Sequence, residues 1–292
     1  MNKFNDLDMR EWDKDLSEEQ LKEWNSIYAS YRSSSLLTGR VIGMDTTTIR
    51  VKNRDSGKLE KKAINCLVVI SYRVKVLIPE QEVWYDDGSR RPAHVLRSMT
   101  GAVIDYVITG IDRINDCCTA SRKKAMDIRR RTFLKLEPQM GRKVPVNVLA
   151  VGPTHLLATC NGFDMTLSQR DLSYGMIDDL RNKFHPGEQK MAVLKSYDKE
   201  KNQLLASVKE AEPHPFDGVE VRHPINSRRA SVISGKYKGG VFCKLEENLD
   251  CLCTYTMYQK DEDFEIGTQV IVVITKFDYA RKLVYGKIVA RW

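Results

Sequence analysis

Three stretches of this chain align with one another without gaps: GAVIDYVITGIDRINDCCTASRKKAM at 101–126, GEQKMAVLKSYDKEKNQLLASVKEAE at 187–212 and GTQVIVVITKFDYARKLVYGKIVARW at 267–292. A repeat is a strong constraint on fold, because one supersecondary unit has to serve every copy. Each copy opens with a glycine, at Gly101, Gly187 and Gly267. An aliphatic pair follows at Val107–Ile108, Val193–Leu194 and Val273–Ile274, then an apolar residue at Ile111, Tyr197 and Phe277. Eleven residues after the glycine comes an aspartate: Asp112, Asp198, Asp278. Apolar character returns at Cys118, Leu204 and Val284, with a small residue two positions on at Ala120, Ala206 and Gly286. Alternating apolar residues, an Asp-led polar turn and a short return strand describe a β-hairpin.

The copies lie 86 and then 80 residues apart. That is longer than a usual solenoid unit and fits one small β-domain per copy. Upstream of each hairpin are further strand-like runs: LLTGRVIGMDTTTIRVK and CLVVISYRVKVLIPEQEV, then GRKVPVNVLAVG and THLLATCNGFDMTLSQRDL, then RRASVIS and GGVFCKLEENLDCLCTYTMY. Five short strands per copy suit a small barrel. Linkers fall where Pro and Gly interrupt, at LEPQMG (136–141) and AEPHPFDG (211–218). The expected organisation is an N-terminal helical segment at 1–35 and three β-domains at 36–135, 141–212 and 218–292. NRDSGKLEKK (53–62) and YDDGSRRPAH (85–94) read as surface insertions in the first domain. SEEQLKEWNSIYASYR (17–32) has a helical period, with Leu21, Trp24, Ile27, Tyr28 and Tyr31 on one face and a capping box at Ser17 and Gln20. That stripe calls for burial against the first β-domain.

No run approaches 18 uncharged apolar residues, and the acidic start MNKFNDLDMREWDKD lacks the apolar core of a secretory signal, so neither a membrane partner nor export is expected. Seven cysteines without framework spacing favour reduced thiols and a cytoplasmic setting. The net charge of +8 is uneven. Residues 1–35 carry five basic and eight acidic groups, while 122–135 carry seven basic and one acidic. The run TASRKKAMDIRRRTFLK therefore holds most of the excess. Its period suggests a short helix with a basic face, joining the first domain to the second. It reads as an electrostatic bridge for a strand passing between domains or as a solvated linker helix, with a targeting signal as a third option.

These motifs resemble the RNA-binding OB-fold repeat of the ribosomal protein S-one family. The resemblance rests on Ser121-Arg122-Lys123 and Ser207-Val208-Lys209 at the end of the hairpin. It rests also on Gly240-Val241-Phe242-Cys243 in a second strand, on Val76-Leu77-Ile78-Pro79 with Glu82 in a third, and on Asp171-Leu172-Ser173 in the second copy. It covers about residues 36–292. The second copy lacks a clean Gly-small-Phe-Val, and Thr254 stands where the family often has His. The resemblance implies an all-β chain of three tandem five-stranded OB barrels behind a short helix, binding single-stranded RNA. In such barrels aromatic rings stack on bases while Lys and Arg track phosphates.

In the third domain the candidates are Arg228, Arg229, Lys236, Tyr237, Lys238, Phe242, Lys244 and Tyr255, with Tyr258 a weaker extension. Phe242 and Lys244 share one side of a strand, opposite Val241 and Cys243, which puts both on a binding face or, in the other reading, makes Phe242 a core residue. In the first domain they are Tyr72, Arg73 and Lys75, and in the second Arg142, Lys143, His155 and Phe163, the last of which follows Gly162 and has core packing as its other reading. Arg122, Lys123, Lys124, Arg129, Arg130 and Arg131 form the linking run. Other chemistry is less well served. Cys243, Cys251 and Cys253 lack zinc spacing and read as core, as do Cys117 and Cys118. His94, His155, His185, His214 and His223 are scattered, no Walker loop is present, and Asp112, Asp198 and Asp278 read as turn formers. The expectation is a non-enzymatic binder with no cofactor and no metal. Its expected partners are single-stranded RNA, single-stranded DNA and ribosomal or other RNA–protein machinery, in a bacterial or phage cytoplasm. The alternative is an assembly or structural factor whose OB folds dock on proteins.

Overall fold

A computed structural model describes residues 16–52, 59–71, 74–85, 93–175, 177, 179–198, 200–237, 239–254, 262 and 264–291. The chain forms three five-stranded barrels, two closed and one nearly closed, preceded by a helix. The first consists of β1 (Leu37–Lys52), β2 (Leu59–Ser71), β3 (Val74–Pro79), β4 (Val103–Asp112) and β5 (Cys117–Ser121). The second has β6 (Lys143–Val151), β7 (His155–Cys160), β8 (Phe163–Ser168), β9 (Gln189–Asp198) and β10 (Gln203–Ser207). The third has β11 (Arg228–Tyr237), β12 (Gly240–Glu246), β13 (Leu249–Thr254), β14 (Gln269–Asp278) and β15 (Leu283–Arg291). In the first, strand order is β1-β2-β3-β5-β4, with β4 returning to β1, and the third repeats it. The second has the same order, and β8 and β10 remain as its two edges. This is the OB-like architecture that the repeat implied. The described residues also form the α-helices α1 (Glu18–Ser33), α2 (Ala93–Arg97), α3 (Arg122–Lys135), α4 (Gln169–Leu172) and α5 (Val219–Arg222), and short 3-10 turns at Glu80–Glu82, Leu180–Asn182 and Lys209–Ala211. Among the described residues, no helix is long and apolar enough to cross a membrane.

The repeated residues are the ones the backbone demands. Gly101, Gly187 and Gly267 have φ of +93°, +89° and +92°, a region that penalises a side chain. Each donates its N–H to a first-strand residue (Val41 at 2.7 Å, Val148 at 2.8 Å, Ile233 at 2.8 Å), and in all three strands that residue borders a β-bulge. The aspartates cap the hairpin turns. Asp112 Oδ1 accepts from the amides of Ile114 and Asn115, Asp198 Oδ1 from Glu200 and Lys201, and Asp278 Oδ1 from Arg281. The turn ends on a left-handed residue each time: Asp116, Asn202 and Lys282. Lysine tolerates that conformation least. Lys282→Gly is expected to raise the stability of the third barrel by about 0.5–1 kcal/mol, seen as a higher urea midpoint at unchanged m-value.

Contacts divide the chain into two compact units, one running to Ser168 and including Asp179–Ala206, the other made of Gln169–Asp178 and Ser207–Trp292. The first unit holds the first two barrels. Its core joins Val41, Leu67, Val69, Ile78, Ile104, Tyr106 and Ile108 to Trp24, Ile27 and Tyr28 of α1. The capping box at Ser17 and Gln20 is present. A 16-residue helix is marginal alone, and burial of three large side chains at about 1.5–3 kcal/mol each holds it. The expected stripe was too wide: Leu21 and Tyr31 are exposed, because the barrel covers only a narrow face of the helix. Buried Ser30 adds an unforeseen link, accepting the amide of Ile108 at 3.0 Å beside a bulge in β4. The supposed insertion at 53–62 is shorter than expected, since Leu59–Lys62 extend β2 and pair with β1. Of 85–94, Tyr85 is exposed and Ala93 and His94 begin α2.

The basic run forms α3 as expected, but much of its charge faces inward. Arg122 is 2% exposed and makes a bidentate pair with Asp164 of β8 at 2.6 and 2.9 Å, plus a bond to the Val83 carbonyl. Arg130 donates Nε–H to the Gly162 carbonyl at 2.7 Å and lies over the rings of Tyr85 and Phe163. Arg129 pairs with Asp105 at 2.8 Å. Gly162 belongs to a two-residue Asn161–Gly162 hairpin turn with both residues at positive φ, the type I′ preference. A side chain on Gly162 would run into the Met126 carbonyl of α3, so the helix rests directly on this turn.

Candidate nucleic-acid interface

The second compact unit carries the face with the most suitable chemistry. In the third barrel Val241, Cys243, Cys251, Cys253 and Val284 all point into the core with essentially no exposure. Alternation therefore turns their neighbours outward. Strand register places Gly235, Phe242, Leu252, Tyr285 and Lys276 side by side across β11, β12, β13, β15 and β14. Phe242 and Tyr285 are half-buried in this row. Lys276 Nζ sits 4.7 Å from the Tyr285 ring centre, a cation–π distance. Tyr237 packs on Phe242 with centroids 5.3 Å apart, and burial raises its hydroxyl pKa above the usual tyrosine range. Gly235 keeps one flank of Phe242 open, since even a Cβ there would reach the ring at 3.7 Å. Exposed Lys244 and Lys287 continue the face above and below, with Lys244 opposite Asp250 and Lys287 beside Thr254. Two rings ringed by lysines on an outward sheet face form a stacking platform with a cationic rim.

The same register positions differ in the other barrels. In the first they are Gly43, Val68, Leu77, Thr119 and Gly110. In the second they begin Ala150, Leu157, Thr166. Leu205 and Ser196 stand eighteen and nine residues after Gly187, as Tyr285 and Lys276 stand after Gly267. Neither row has an aromatic ring. Ala150 and Leu157 join the hydrophobic core of the first barrel, and Thr166 borders a cleft shared with His94, Val95 and Ser98. The second barrel thus spends part of this face, Ala150 and Leu157, on its neighbour, while Thr166, Leu205 and Ser196 stay exposed.

The sequence-derived candidates separate accordingly. Phe242, Lys244, Lys236 and Tyr237 gather on or beside the platform, with Tyr237 the last residue of β11. Arg228 and Arg229 open β11; Arg228 is exposed and Arg229 donates to the Arg222 carbonyl at 2.6 Å. Lys75 is half-exposed and paired with Asp45 at 2.7 Å, and that bond lowers the carboxyl pKa of Asp45. Arg142, Lys143 and His155 are exposed on the second barrel, and Lys124 and Arg131 on α3, with Lys123 half-buried there. Three expectations are corrected. Phe163 is 1% exposed, packed between Phe133 and Tyr197, and cannot stack on a base. Arg122 and Arg130 are buried and hold α3 to the second barrel, so they cannot follow a phosphate chain. Tyr72, Arg73, Lys238, Tyr255 and Tyr258 lie outside the described residues. Tyr285, Lys276 and Lys287 were missed. The outward position of Tyr285 between inward Val284 and Gly286 was the available signal.

The thiols are structural. Burial pushes Cys118 up to about 12 and Cys160 up to about 11, so both stay protonated. Cys243 is raised by its bond to Cys253 and by burial, and Cys253 lies 3.6 Å from Cys251 inside the third barrel. Among the described residues no His, Cys, Asp and Glu side chains gather in a group of three that could hold a metal ion.

No family model matches the chain. It is similar to a 4-hydroxy-3-methylbut-2-enyl diphosphate reductase of Clostridium tetani, 25% identical over 124 residues, which is 40% of this chain and 20% of that protein. It is also similar to small ribosomal subunit protein bS1 of Coxiella burnetii, 22% identical over 190 residues, covering 61% and 34%. The chain thus spans a fifth and a third of the length of these curated relatives. The second supports the S-one-like character read from the repeat. Two solved structures align. One is an a/eIF2alpha–aDim2p–rRNA complex of Pyrococcus horikoshii, at 13% identity over 28% of this chain and 50% of that chain, with a TM-score of 0.25. The other is a multidomain protein with nucleic acid binding domains from Streptococcus pneumoniae, at 11% identity over 89% and 74%, with a TM-score of 0.20.

Proposed function

We propose that this chain is a non-catalytic binder of single-stranded RNA, and that the third barrel is its principal contact. The carrying observation is the outward row of Phe242, Leu252, Tyr285 and Lys276, rimmed by Lys244 and Lys287. Aromatic faces accept any base, and the lysines offset phosphate charge, so binding is tolerant of sequence at this face. Similarity to a ribosomal small-subunit protein supports the same reading, and a cytoplasmic role in translation belongs to the proposal. The alternative, docking on a protein, draws on the second barrel, where Ala150 and Leu157 of the corresponding face already pack on protein within this chain.

Fluorescence anisotropy with a labelled single-stranded RNA, and with DNA of the same sequence, tests the proposal. The logarithm of affinity is expected to fall with the logarithm of salt concentration at a slope of about −2 to −3, the value for three or four neutralised phosphates on a single strand. RNA is expected to bind more tightly than DNA. A flat salt response overturns the phosphate-tracking face, and capture of a protein partner without nucleic acid favours the alternative.

A further inference from the structure

Within the first compact unit a second polar cleft lies between the barrels, with a volume of about 380 Å³. That size falls in the range of small-molecule sites. Its floor is a row on adjacent strands of the second barrel: Asn147 on β6 is the direct register partner of Thr159 on β7 and of Gln189 on β9. Arg129 of α3, Asp105 of β4 and Asn161 of the β7–β8 turn also line it. The hydrogen bonding of the cleft is uneven. Arg129 and Asp105 satisfy each other at 2.8 Å, and the second oxygen of Asp105 accepts from Thr38. Arg122, which also borders the cleft, is fully engaged with Asp164. The side chains of Asn147, Thr159 and Gln189 make no hydrogen bond to protein among the described residues. Thr38 and Asn161, which also line the cleft, bond to Asp105 and to Cys160 Sγ. The cations of the cleft are therefore already neutralised, while the neutral donors and acceptors of Asn147, Thr159 and Gln189 are unused.

That combination selects against a phosphate and for a neutral, planar group with mixed donors and acceptors. A primary amide presents one donor and one acceptor side by side, the pattern that matches the edge of a nucleobase. We propose that this cleft takes one unpaired base of the bound strand and reads its edge through Asn147, Thr159 and Gln189. The inference rests on the single-strand reading above and adds base selectivity to it. The platform of the third barrel supplies affinity for any sequence; the cleft supplies preference, because base edges distinguish bases and stacking faces do not.

The test uses the full chain and single-stranded rA, rC and rU homopolymers of equal length in anisotropy titrations. The wild type is expected to separate the best from the worst homopolymer by about tenfold or more, as a good bidentate amide contact does. Asn147→Ala with Gln189→Ala is expected to compress that ratio to within about threefold. Phe242→Ala is expected to weaken all three and leave the ratio intact. Gln189 is exposed, so Gln189→Ala alone serves if the double variant melts early, with a partial loss of the ratio expected. Equal affinities in the wild type, or an unchanged ratio in the cleft variants, overturn the base-reading cleft while leaving the binding function standing. Failure of every homopolymer to bind overturns the binding function itself, and the cleft with it.

Discussion

Arg122→Met is expected to lower the unfolding free energy of the unit that holds the first two barrels by about 3–5 kcal/mol, the usual cost of removing one partner from a buried ion pair. Arg122 is 2% exposed and the Asp164 side chain 7%, so water cannot take over the part of the carboxylate's solvation that the guanidinium supplied. The Val83 carbonyl loses its partner as well. The double variant Arg122→Met, Asp164→Leu removes both charges and fills the site with apolar volume. It is expected to regain most of the loss, since apolar replacement of a buried pair is often close to neutral. Urea unfolding of the two single variants and the double variant gives the coupling directly. A loss under about 1 kcal/mol in Arg122→Met would sink the assignment of this arginine as a clamp. RNA affinity supplies the complementary measurement: a structural clamp leaves it unchanged when measured well below the melting temperature, whereas a phosphate contact does not.

The basic run shows where sequence reading stops. Its helical form was legible from period, and its place between two domains from the repeat. The fate of each arginine was not, because it depends on Asp164 and Gly162, residues more than thirty positions away that reach α3 only once the second barrel has closed its hairpin. A charge run on a helix is usually solvated; here a carboxylate and a carbonyl from the next barrel wait for it. Phe163 was open to two readings, stacking or packing, for a similar reason. It follows the turn glycine as Phe242 follows a glycine and a valine, but its ring points into the core between Phe133 and Tyr197. By contrast, the repeated glycines, aspartates and small residues were legible because each answers a local backbone demand: a positive φ, an amide to cap, and a crowded strand crossing at Gly286, where a Cβ would clash with Val272 and Cys251. The positions at which the copies agree build the barrel. The candidate function sits where they disagree, at Thr119, Leu205 and Tyr285, and comparing agreements alone passes over Tyr285.

That disagreement makes the larger binding prediction sharp. Phe242→Ala with Tyr285→Ala is expected to weaken single-stranded RNA binding by about 2–6 kcal/mol, taking about 1–3 kcal/mol for each stacked base. Neither ring is in the barrel core, so the folded state persists; the losses are the contact of Phe242 with Tyr237 and that of Tyr285 with Lys276, about 1 kcal/mol each. Lys244→Ala with Lys287→Ala acts through a different physical term. It is expected to reduce the salt slope by about 1.4, or 0.7 per phosphate no longer neutralised, with little change in affinity at high salt. The aromatic pair should do the reverse: a large loss at every salt concentration with the slope preserved. Thr119→Ala, at the matching position of the first barrel, is expected to leave both quantities where they were. Should the aromatic double variant bind within twofold of the wild type, the platform is not where the strand lies. Should it instead flatten the slope, the rings are acting only by positioning Lys276 and Lys244. Stacking and charge neutralisation are separable here because the sheet puts them in alternating rows: the rings lie in the row of Gly235, Phe242, Leu252 and Tyr285, and Lys244 and Lys287 lie in the rows on either side.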